Sequence, residues 1–413
     1  MPDAVFVEAA GRGRWIRWGA PPTGVEAGVK GLVRDWPRSL YYLAYFSAMG
    51  VLVPYWPLYL HLRGFGAQAI GQLMALLALA RVAAPYAGGF LVDHAGHRVA
   101  VVRIAAFLAF SIFVTVPGAH SFAAEAWVMM GFSFFWYATL PSLEASTLRA
   151  HGIHYGRVRL WGSIGFIVMV AALGPVLGRY GVGLVVPVLA VLLCGLWLAT
   201  LAVPRFDGAA HETRRLSLKP GLVVFLLACF LMQVSYGPYY TFYTLYLQRF
   251  RYTTFEIGLL WAFAVACEVV LFWQADRLFA RFREQTLFTA TLALAFGRWI
   301  LIGMFPGDAG LIIAAQLLHA FTFGLYHAAA VRLAGHYAGP GSRARAQALY
   351  GSAAGAGAGI GALWSGYAWS DLGPRDMFLA AAVVAGAAFL LVVMTWFRRG
   401  CLTDGPPAAV ERL

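Results

Sequence analysis

The chain has 413 residues, of which 61% are hydrophobic and only 12% are charged, with a mean hydropathy of +0.70. Water-soluble globular proteins do not carry this apolar excess, and disordered, collagen-like and disulfide-stapled classes are excluded as well. A membrane-spanning helix needs about 20 apolar residues, so the chain is long enough for twelve of them with short loops. The composition therefore predicts an integral membrane protein.

Apolar segments follow one another along the whole chain, separated by charged clusters and by glycine or proline. We predict twelve helices, at about residues 39–62, 68–92, 99–118, 122–147, 160–179, 182–203, 220–247, 255–275, 286–305, 309–331, 346–370 and 376–397. The predicted fold class is an all-α integral membrane protein with twelve transmembrane helices.

The basic residues indicate which side of the membrane is cytoplasmic. Lys and Arg number 31 against 18 Asp and Glu, a formal net charge of +13. Most of them fall in the tails and in the loops after even-numbered helices, so the positive-inside rule places both termini in the cytoplasm. This placement explains the net charge without nucleic-acid binding. We expect a multi-pass protein of a bacterial inner membrane.

The cysteines and the N-terminal segment point to no special chemistry. Cys194, Cys229, Cys267 and Cys401 lie far apart and form no C-x-x-C pair, which predicts neither a metal site nor a disulfide framework. The first 30 residues contain no apolar run of the roughly 7–15 residues that a signal peptide requires. We interpret them as an interfacial or disordered cytoplasmic tail.

The longest interior charged stretch divides the chain nearly in half. We predict an N-terminal tail at 1–37, a six-helix bundle at 38–203, a cytoplasmic linker at 204–219, a second bundle at 220–397 and a C-terminal tail at 398–413. Weak internal repeats, including an Asp and Arg pair after helix 2 and again after helix 8, recur at nearly one offset. They indicate two pseudo-symmetric bundles, as in transporters whose halves rock about a central site.

Residues 89–98 read GFLVDHAGHR, which resembles the loop 2–3 signature of the major facilitator superfamily. Glycine permits close helix approach, and the charged side chains favour contacts with a neighbouring helix end and with the cytoplasmic face. The resemblance implies a cytoplasmic gate that contains Gly89, Asp93, Gly96 and Arg98. The second repeat lacks the glycines and keeps only Asp276 and Arg281.

Two further segments, LPSLEA at 140–145 and YGRVRLWGSIG at 155–165, look like helices 4 and 5 of the lactose permease. In that protein the matching glutamate and second arginine face each other in the substrate cavity. The resemblance therefore implies that Glu144 and Arg159 bind substrate. The hairpin allows the two to form an ion pair, and the alternative is a purely structural salt bridge near the interface.

Helices 8 to 10 are more similar to the phenylpropionate permease family. The similarity lies in CEV at 267–269, FGRW at 296–299, LH at 318–319 and YHAA at 326–329. Together the resemblances cover about residues 40–397, in order and with little insertion. They imply the major facilitator fold and transport by alternating access.

Four ionisable residues of these helices are predicted to lie inside the membrane, where charges are costly and usually pair or line an aqueous path. We hypothesise that Glu268 carries a coupled proton, with Arg298 as its charge partner and His319 and His327 as relay or substrate contacts. The histidines are about 80° apart on an α-helix, so both are expected to border one cavity wall. The alternative is that they only hydrogen-bond between helices. Thr322 occupies the place of a lactose permease glutamate, which leaves Glu268 or a histidine to bind the proton.

Arg81, at the centre of predicted helix 2, adds a third guanidinium to the membrane interior. It has a counterpart in the phenylpropionate permease family. With Arg159 and Arg298 it outnumbers the two acids Glu144 and Glu268, which favours an anionic substrate. The alternative is that Arg81 ties helix 2 to a neighbouring loop or helix.

Aromatic residues are dense in helices 1, 4 and 7, and many of them are expected to face lipid. Ring stacking suits an aromatic acid, a sugar or a nucleoside. We select Tyr45, Tyr239 and Tyr240 as candidate substrate contacts.

The sequence thus favours a proton-coupled symporter that imports a small organic solute, best matched by a phenylpropionate-like aromatic carboxylate. The alternative within the same fold is a sugar or nucleoside symporter. A membrane enzyme is less consistent, because no H-E-x-x-H, G-x-S-x-G or Walker pattern is present, and a non-transporting sensor is a further alternative. We expect a monomer in the lipid bilayer that needs no cofactor besides protons.

Overall fold

The computed structural model describes residues 5–9, 14–18, 36–95, 98–151, 155–204, 219–338 and 342–398. Ten spans are single helices: α1 Trp36–Leu62, α2 Ala67–Ala95, α3 Arg98–Phe113, α4 Phe122–His151, α5 Tyr155–Tyr180, α6 Val185–Ala202, α8 Thr254–Arg281, α9 Glu284–Met304, α11 Arg343–Asp371 and α12 Pro374–Arg398. Two spans are interrupted. Helix α7 consists of Pro220–Ser235 and Gly237–Arg249, and α10 of Ala309–His319, a π-helical segment Ala320–Leu325, and Tyr326–Ala338. The twelve predicted helices are confirmed.

The N-terminal tail departs from the all-α expectation. Strands β1 Val5–Ala9 and β2 Arg14–Trp18 pair antiparallel as a two-stranded hairpin. Their β-branched and aromatic residues favour extended backbone. We predicted only an interfacial or disordered tail and did not consider this preference. The hairpin precedes the first span and adds nothing to the helical bundle.

Ten spans of the described residues are long and apolar enough to cross a membrane. Helices α4 and α11 are outside this group, although each has about the length that a bilayer requires. Helix α11 is rich in glycine and alanine, which lowers its hydropathy, and it packs against α2 and α7. Small residues let helix backbones approach closely within membranes.

Two helix pairs make the most extensive contacts between the N-terminal half, α1 to α6, and the C-terminal half, α7 to α12. These are α2 with α11 and α5 with α8. A Cβ atom on Gly71 of α2 would lie 2.8 Å from the Cα atom of Gly366 of α11. A Cβ atom on Gly258 of α8 would lie 2.6 Å from the carbonyl oxygen of Val170 of α5. Only glycine permits these backbone approaches.

The first helix begins at Trp36 and the last ends at Arg398, both at the same end of the bundle. We call the opposite end the distal end, and some of these close contacts lie there. There the Thr254 hydroxyl of α8 donates a hydrogen bond to the Gly174 carbonyl of α5 at 2.7 Å. Helix α1 also contacts the distal segment of α7. The two halves are therefore joined at the distal end.

Candidate functional site

Helix α7 is interrupted next to the candidate site. Pro238 has no N–H group to donate to the carbonyl of Val234, four residues earlier. The indole Nε1 of Trp364, on α11, donates to this carbonyl at 3.2 Å instead. The interruption at Tyr236 presents a group of tyrosines to α8, α9 and α10: Tyr236, Tyr239 and Tyr240.

Arg298 is completely buried at the centre of this group. Its guanidinium donates to the Ala315 carbonyl at 2.8 Å, to the Gln316 Oε1 atom at 3.1 Å and to the Tyr236 hydroxyl at 3.2 Å. It also lies over the Tyr239 ring, 4.2 Å from the centroid. Backbone, amide and ring partners thus replace water around the charge.

The expected charge pair between Arg298 and Glu268 is therefore wrong for this structure. The ionisable neighbour of Glu268 is His319, whose Nε2 atom lies 4.0 Å from the Glu268 Oε2 atom. The Glu268 side chain passes close to α10, since a Cβ on Gly324 would lie 2.9 Å from its Cγ. Its carboxylate also lies within electrostatic range of Arg159 from the other half. Glu268 thus contacts α10 of its own half and lies within electrostatic range of one arginine of the other half.

His319 lies beside Glu268 and is almost fully buried. Its ring stacks on Phe323, with centroids 5.1 Å apart and planes 7° apart. Among the described residues, its Nδ1 atom has no hydrogen-bond partner. Thr322, the residue that replaces the permease glutamate, accepts a hydrogen bond of 2.8 Å from Tyr236.

His327 lies in different surroundings, so the expectation that both histidines border one cavity wall is wrong. The π-helical segment between them widens the helix, and rotation by 100° per residue no longer applies. His327 is exposed, and its Nδ1 atom lies 2.9 Å from the Tyr350 hydroxyl on α11. Across the space between the halves it lies within electrostatic range of Arg81 and Arg159.

Arg81 lies at the midpoint of α2 and is exposed. Tyr45 and Tyr137 of the N-terminal half and Tyr350 of the C-terminal half are within its electrostatic range. We interpret the space around Arg81 as one between the halves, because a charged side chain at this depth usually lines an aqueous path and not lipid. We call this space the central cavity and define it by Arg81, Arg159, Glu268, His327 and Tyr350.

Glu144 and Arg159 do not form the expected ion pair in this structure. Glu144 accepts a hydrogen bond from the Tyr155 hydroxyl. The Arg159 guanidinium lies over the Phe46 ring, 3.9 Å from its centroid. Both side chains are partly accessible, and both lie toward the end of the bundle that carries the helical termini. Each therefore retains the capacity to bind a polar ligand.

The three tyrosines predicted as substrate contacts differ in accessibility. Tyr45 is buried and stacks on Trp136 at 4.9 Å. Tyr239 is buried and hydrogen-bonded to Gln316 at 3.2 Å. Tyr240 alone among them is partly exposed. Direct substrate contact is open to Tyr240 in this conformation.

The gate motif lies partly outside the described residues: Gly96 is left out, and only the helical backbone is described for Gly89, Asp93 and Arg98. In the second repeat, the Asp276 Oδ1 atom lies 3.4 Å from the Arg332 Nη2 atom of α10. Arg281 instead lies over the ring of Phe282. The described part of the motif thus forms a link within the C-terminal half.

Sequence reasoning missed several site residues. Gln316, which binds both Arg298 and Tyr239, is a polar side chain within an apolar run, and this was an available signal. Tyr236 and Tyr350 had no such signal, because tyrosine is also common at membrane interfaces. Their roles depend on contacts between helices.

Residues 36–380 match the MFS_1 like family. The chain belongs to this family. It is 27% identical over 369 residues to the Escherichia coli (strain K12) protein named "Probable 3-phenylpropionic acid transporter", which covers 85% of this chain and 96% of that protein. It is 25% identical over 373 residues to "Maltose permease" of Geobacillus stearothermophilus, with 86% and 93% covered.

The fold is also that of solved transporters of the major facilitator superfamily. The crystal structure of the nucleoside transporter NupG aligns with a TM-score of 0.76 and 16% identity, covering 88% of this chain and 99% of that one. The predicted family and fold are thus confirmed. The chain is a multi-pass membrane transporter for a small molecule, and not an enzyme.

Proposed function

We propose that the protein couples proton movement to the import of a small organic anion, best matched by a phenylpropionate-like aromatic carboxylate. The observation that carries the proposal is the set of cationic groups in the central cavity. Arg81 and Arg159 have no hydrogen bond or ion pair among the described residues, and both lie within electrostatic range of His327. Guanidinium groups bind carboxylates through paired, charge-assisted hydrogen bonds.

Glu268 supplies a physical route to proton coupling. Its carboxylate competes with a substrate carboxylate for the field of Arg159. A proton on Glu268 removes that competing negative charge, so proton binding favours anion binding and, by linkage, the anion favours the proton. His319, beside Glu268, and His327, in the cavity, are the candidate relay groups. Arg298 acts in this proposal by positioning the C-terminal site.

The proposal places alternating access on the two halves. The distal contacts belong to the state that is open toward the cytoplasm, if both termini are cytoplasmic as the charge distribution predicts. Gly89, Asp93, Gly96, Arg98, Asp276 and Arg281 would then belong to the gate that closes the opposite end. The proposed bundles at 38–203 and 220–397, joined by the linker at 204–219, are the bodies that rock.

Neutral sugars and nucleosides are the alternative substrate class. The name of the Geobacillus relative favours a sugar, and Glu144 and Arg159 are both accessible to hydroxyl groups. A neutral ligand would leave the field of Arg81 uncompensated, whereas a carboxylate neutralises it. We therefore favour the anion.

The test is equilibrium binding of radiolabelled 3-phenylpropionate to the purified full-length protein. We expect competition by unlabelled 3-phenylpropionate and none by 3-phenylpropanamide, maltose or uridine. Arg81→Gln should weaken binding about 10-fold or more, as for loss of a charged hydrogen bond, with partial retention in Arg81→Lys. Arg179→Gln, an exposed arginine of α5, is the matched control.

Equal competition by the carboxylate and its amide would contradict an anion site. Binding that is displaced by maltose or uridine, and not by the carboxylate, would establish the alternative class.

A further inference from the structure

One wall of the central cavity carries aromatic side chains at mid-membrane depth. Tyr240 of α7 and Phe323 of α10 are partly exposed, with ring centroids 6.4 Å apart and planes at 78°. Tyr236 stacks behind Tyr240 at 5.3 Å. Phe323 stacks on His319 at 5.1 Å, and the His319 Nε2 atom lies 4.0 Å from the Glu268 Oε2 atom, so the ring pair is beside the ionisable site.

This aromatic wall is offset from the cationic groups along the membrane normal. Phe323 and His327 lie four positions apart on α10, about one helical turn or roughly 5–6 Å. His327 is on the side toward the helical termini, with Arg81 and Arg159 within its electrostatic range. Phe323 is on the distal side, where the halves are closed. A ligand that spans both sets of groups needs an anionic end and a flat apolar end separated by about one turn.

We propose that Tyr240 and Phe323 form the subsite for the aromatic ring of the substrate, while Arg81 and Arg159 hold its carboxylate. This inference rests on the proposed function and extends it to ring selectivity and spacer length. The offset between Phe323 and His327 is about one helical turn, which three carbon–carbon bonds of about 1.5 Å beyond the ring span together with the C–O bond of the carboxylate. Benzoate, which has no methylene spacer, is too short.

The proposal also assigns different substrate contacts to the two halves. The carboxylate binds α2 and α5 of the N-terminal half, and the ring packs against α7 and α10 of the C-terminal half. A substrate of the correct length therefore contacts both halves at once. An acid that is too short or has no ring makes its full contacts with only one half. Bridging gives the ligand differential affinity for the rocking states, which is what shifts their populations.

The experiment measures uptake into proteoliposomes that contain the full-length protein. The substrates are 3-phenylpropionate, benzoate, 5-phenylpentanoate and 3-cyclohexylpropionate, the last having the same spacer without a π face. Wild-type protein should prefer 3-phenylpropionate over each of the others. We compare Tyr240→Leu, Tyr240→Phe and Phe323→Leu, with Phe263→Leu as a control on the exposed side of α8.

We expect Tyr240→Leu and Phe323→Leu to lower the ratio of kcat/KM for 3-phenylpropionate to that for 3-cyclohexylpropionate by about fivefold or more, since a ring pair contributes more than its buried area. Tyr240→Phe should leave this ratio within about twofold because the ring face is retained. Phe263→Leu should do the same because it leaves Tyr240 and Phe323 unchanged. The ratio is independent of how much variant protein folds.

Unchanged ratios in both leucine variants, with 3-phenylpropionate still transported, would overturn the ring subsite and leave the proposed function standing. Failure of the wild-type protein to take up any of the four acids would overturn the proposed function, and the subsite with it.

Discussion

Arg298 illustrates how this protein keeps a charge in its interior. Within the described residues its partners are a carbonyl, an amide, a hydroxyl and aromatic rings, with no carboxylate in ion-pair contact. The planar guanidinium serves these partners from fixed directions and stacks on Tyr239 at the same time. An ammonium group has neither property.

Replacing Arg298 by lysine should therefore be damaging despite the retained charge. We expect Arg298→Lys to lose about 1–3 kcal/mol of stability per partner left unsatisfied and to lower the thermal unfolding temperature of the purified protein. Arg103→Lys is the control, because Arg103 binds carbonyls of α6 at a more exposed site. A wild-type unfolding temperature in Arg298→Lys would contradict this account.

Glu268 is the residue on which proton coupling depends. Glutamine reproduces the neutral form of the side chain but binds no proton. We expect Glu268→Gln to retain exchange of labelled for unlabelled 3-phenylpropionate and to lose accumulation driven by a pH gradient. Glu284→Gln, the same change at an acid in the first turn of α9 and outside the central cavity, should retain accumulation. Uphill accumulation in Glu268→Gln would refute the assignment.

At the scale of the helices, the distal contacts depend on glycines of α5 and α8. A side chain on Gly258 would collide with the Val170 carbonyl and with the Tyr55 hydroxyl, at 2.6 and 2.7 Å from its Cβ. We expect the Gly258→Val substitution to open the distal end. The variant protein should still bind ligand but should transport it slowly. Labelling of a cysteine introduced at the distal end should increase.

Gly195→Val provides the matched control, because no atom lies within 4 Å of a Cβ at that position of α6. Both variants add the same side chain to a helix. Equal labelling and equal transport in the two variants would contradict a distal gate held by glycine contacts.

The helix boundaries were predictable because an apolar run must match the membrane thickness, and α1 to α12 follow those runs closely. The interruption of α7 had a visible cause in Gly237 and Pro238. The π-helical segment of α10 had none, because contacts between helices, such as the one from Tyr236 to Thr322, hold it in place. Helix periodicity therefore predicted that His319 and His327 share one wall, whereas the structure gives them different surroundings.

At the scale of the whole molecule, the sequence identified ionisable residues but not their partners. Hydropathy reveals that Arg81, Glu268 and Arg298 lie within the membrane, since a charge there is conspicuous. Whether Glu268 meets Arg298 or His319 depends on the rotation and neighbours of three helices. The separation of Glu144 from Arg159 also reflects one conformation of a molecule with two moving halves.

The central claim is that an aromatic carboxylate and a proton move together. The most direct measurement records external pH while 3-phenylpropionate is added to de-energised proteoliposomes, with lactose and uridine added in parallel. Protein-free liposomes and the Arg81→Gln protein correct for passive entry of the acid. We predict alkalinisation by 3-phenylpropionate alone, beyond both controls. Uptake of labelled 3-phenylpropionate without alkalinisation, or alkalinisation by lactose or uridine instead, would contradict the account.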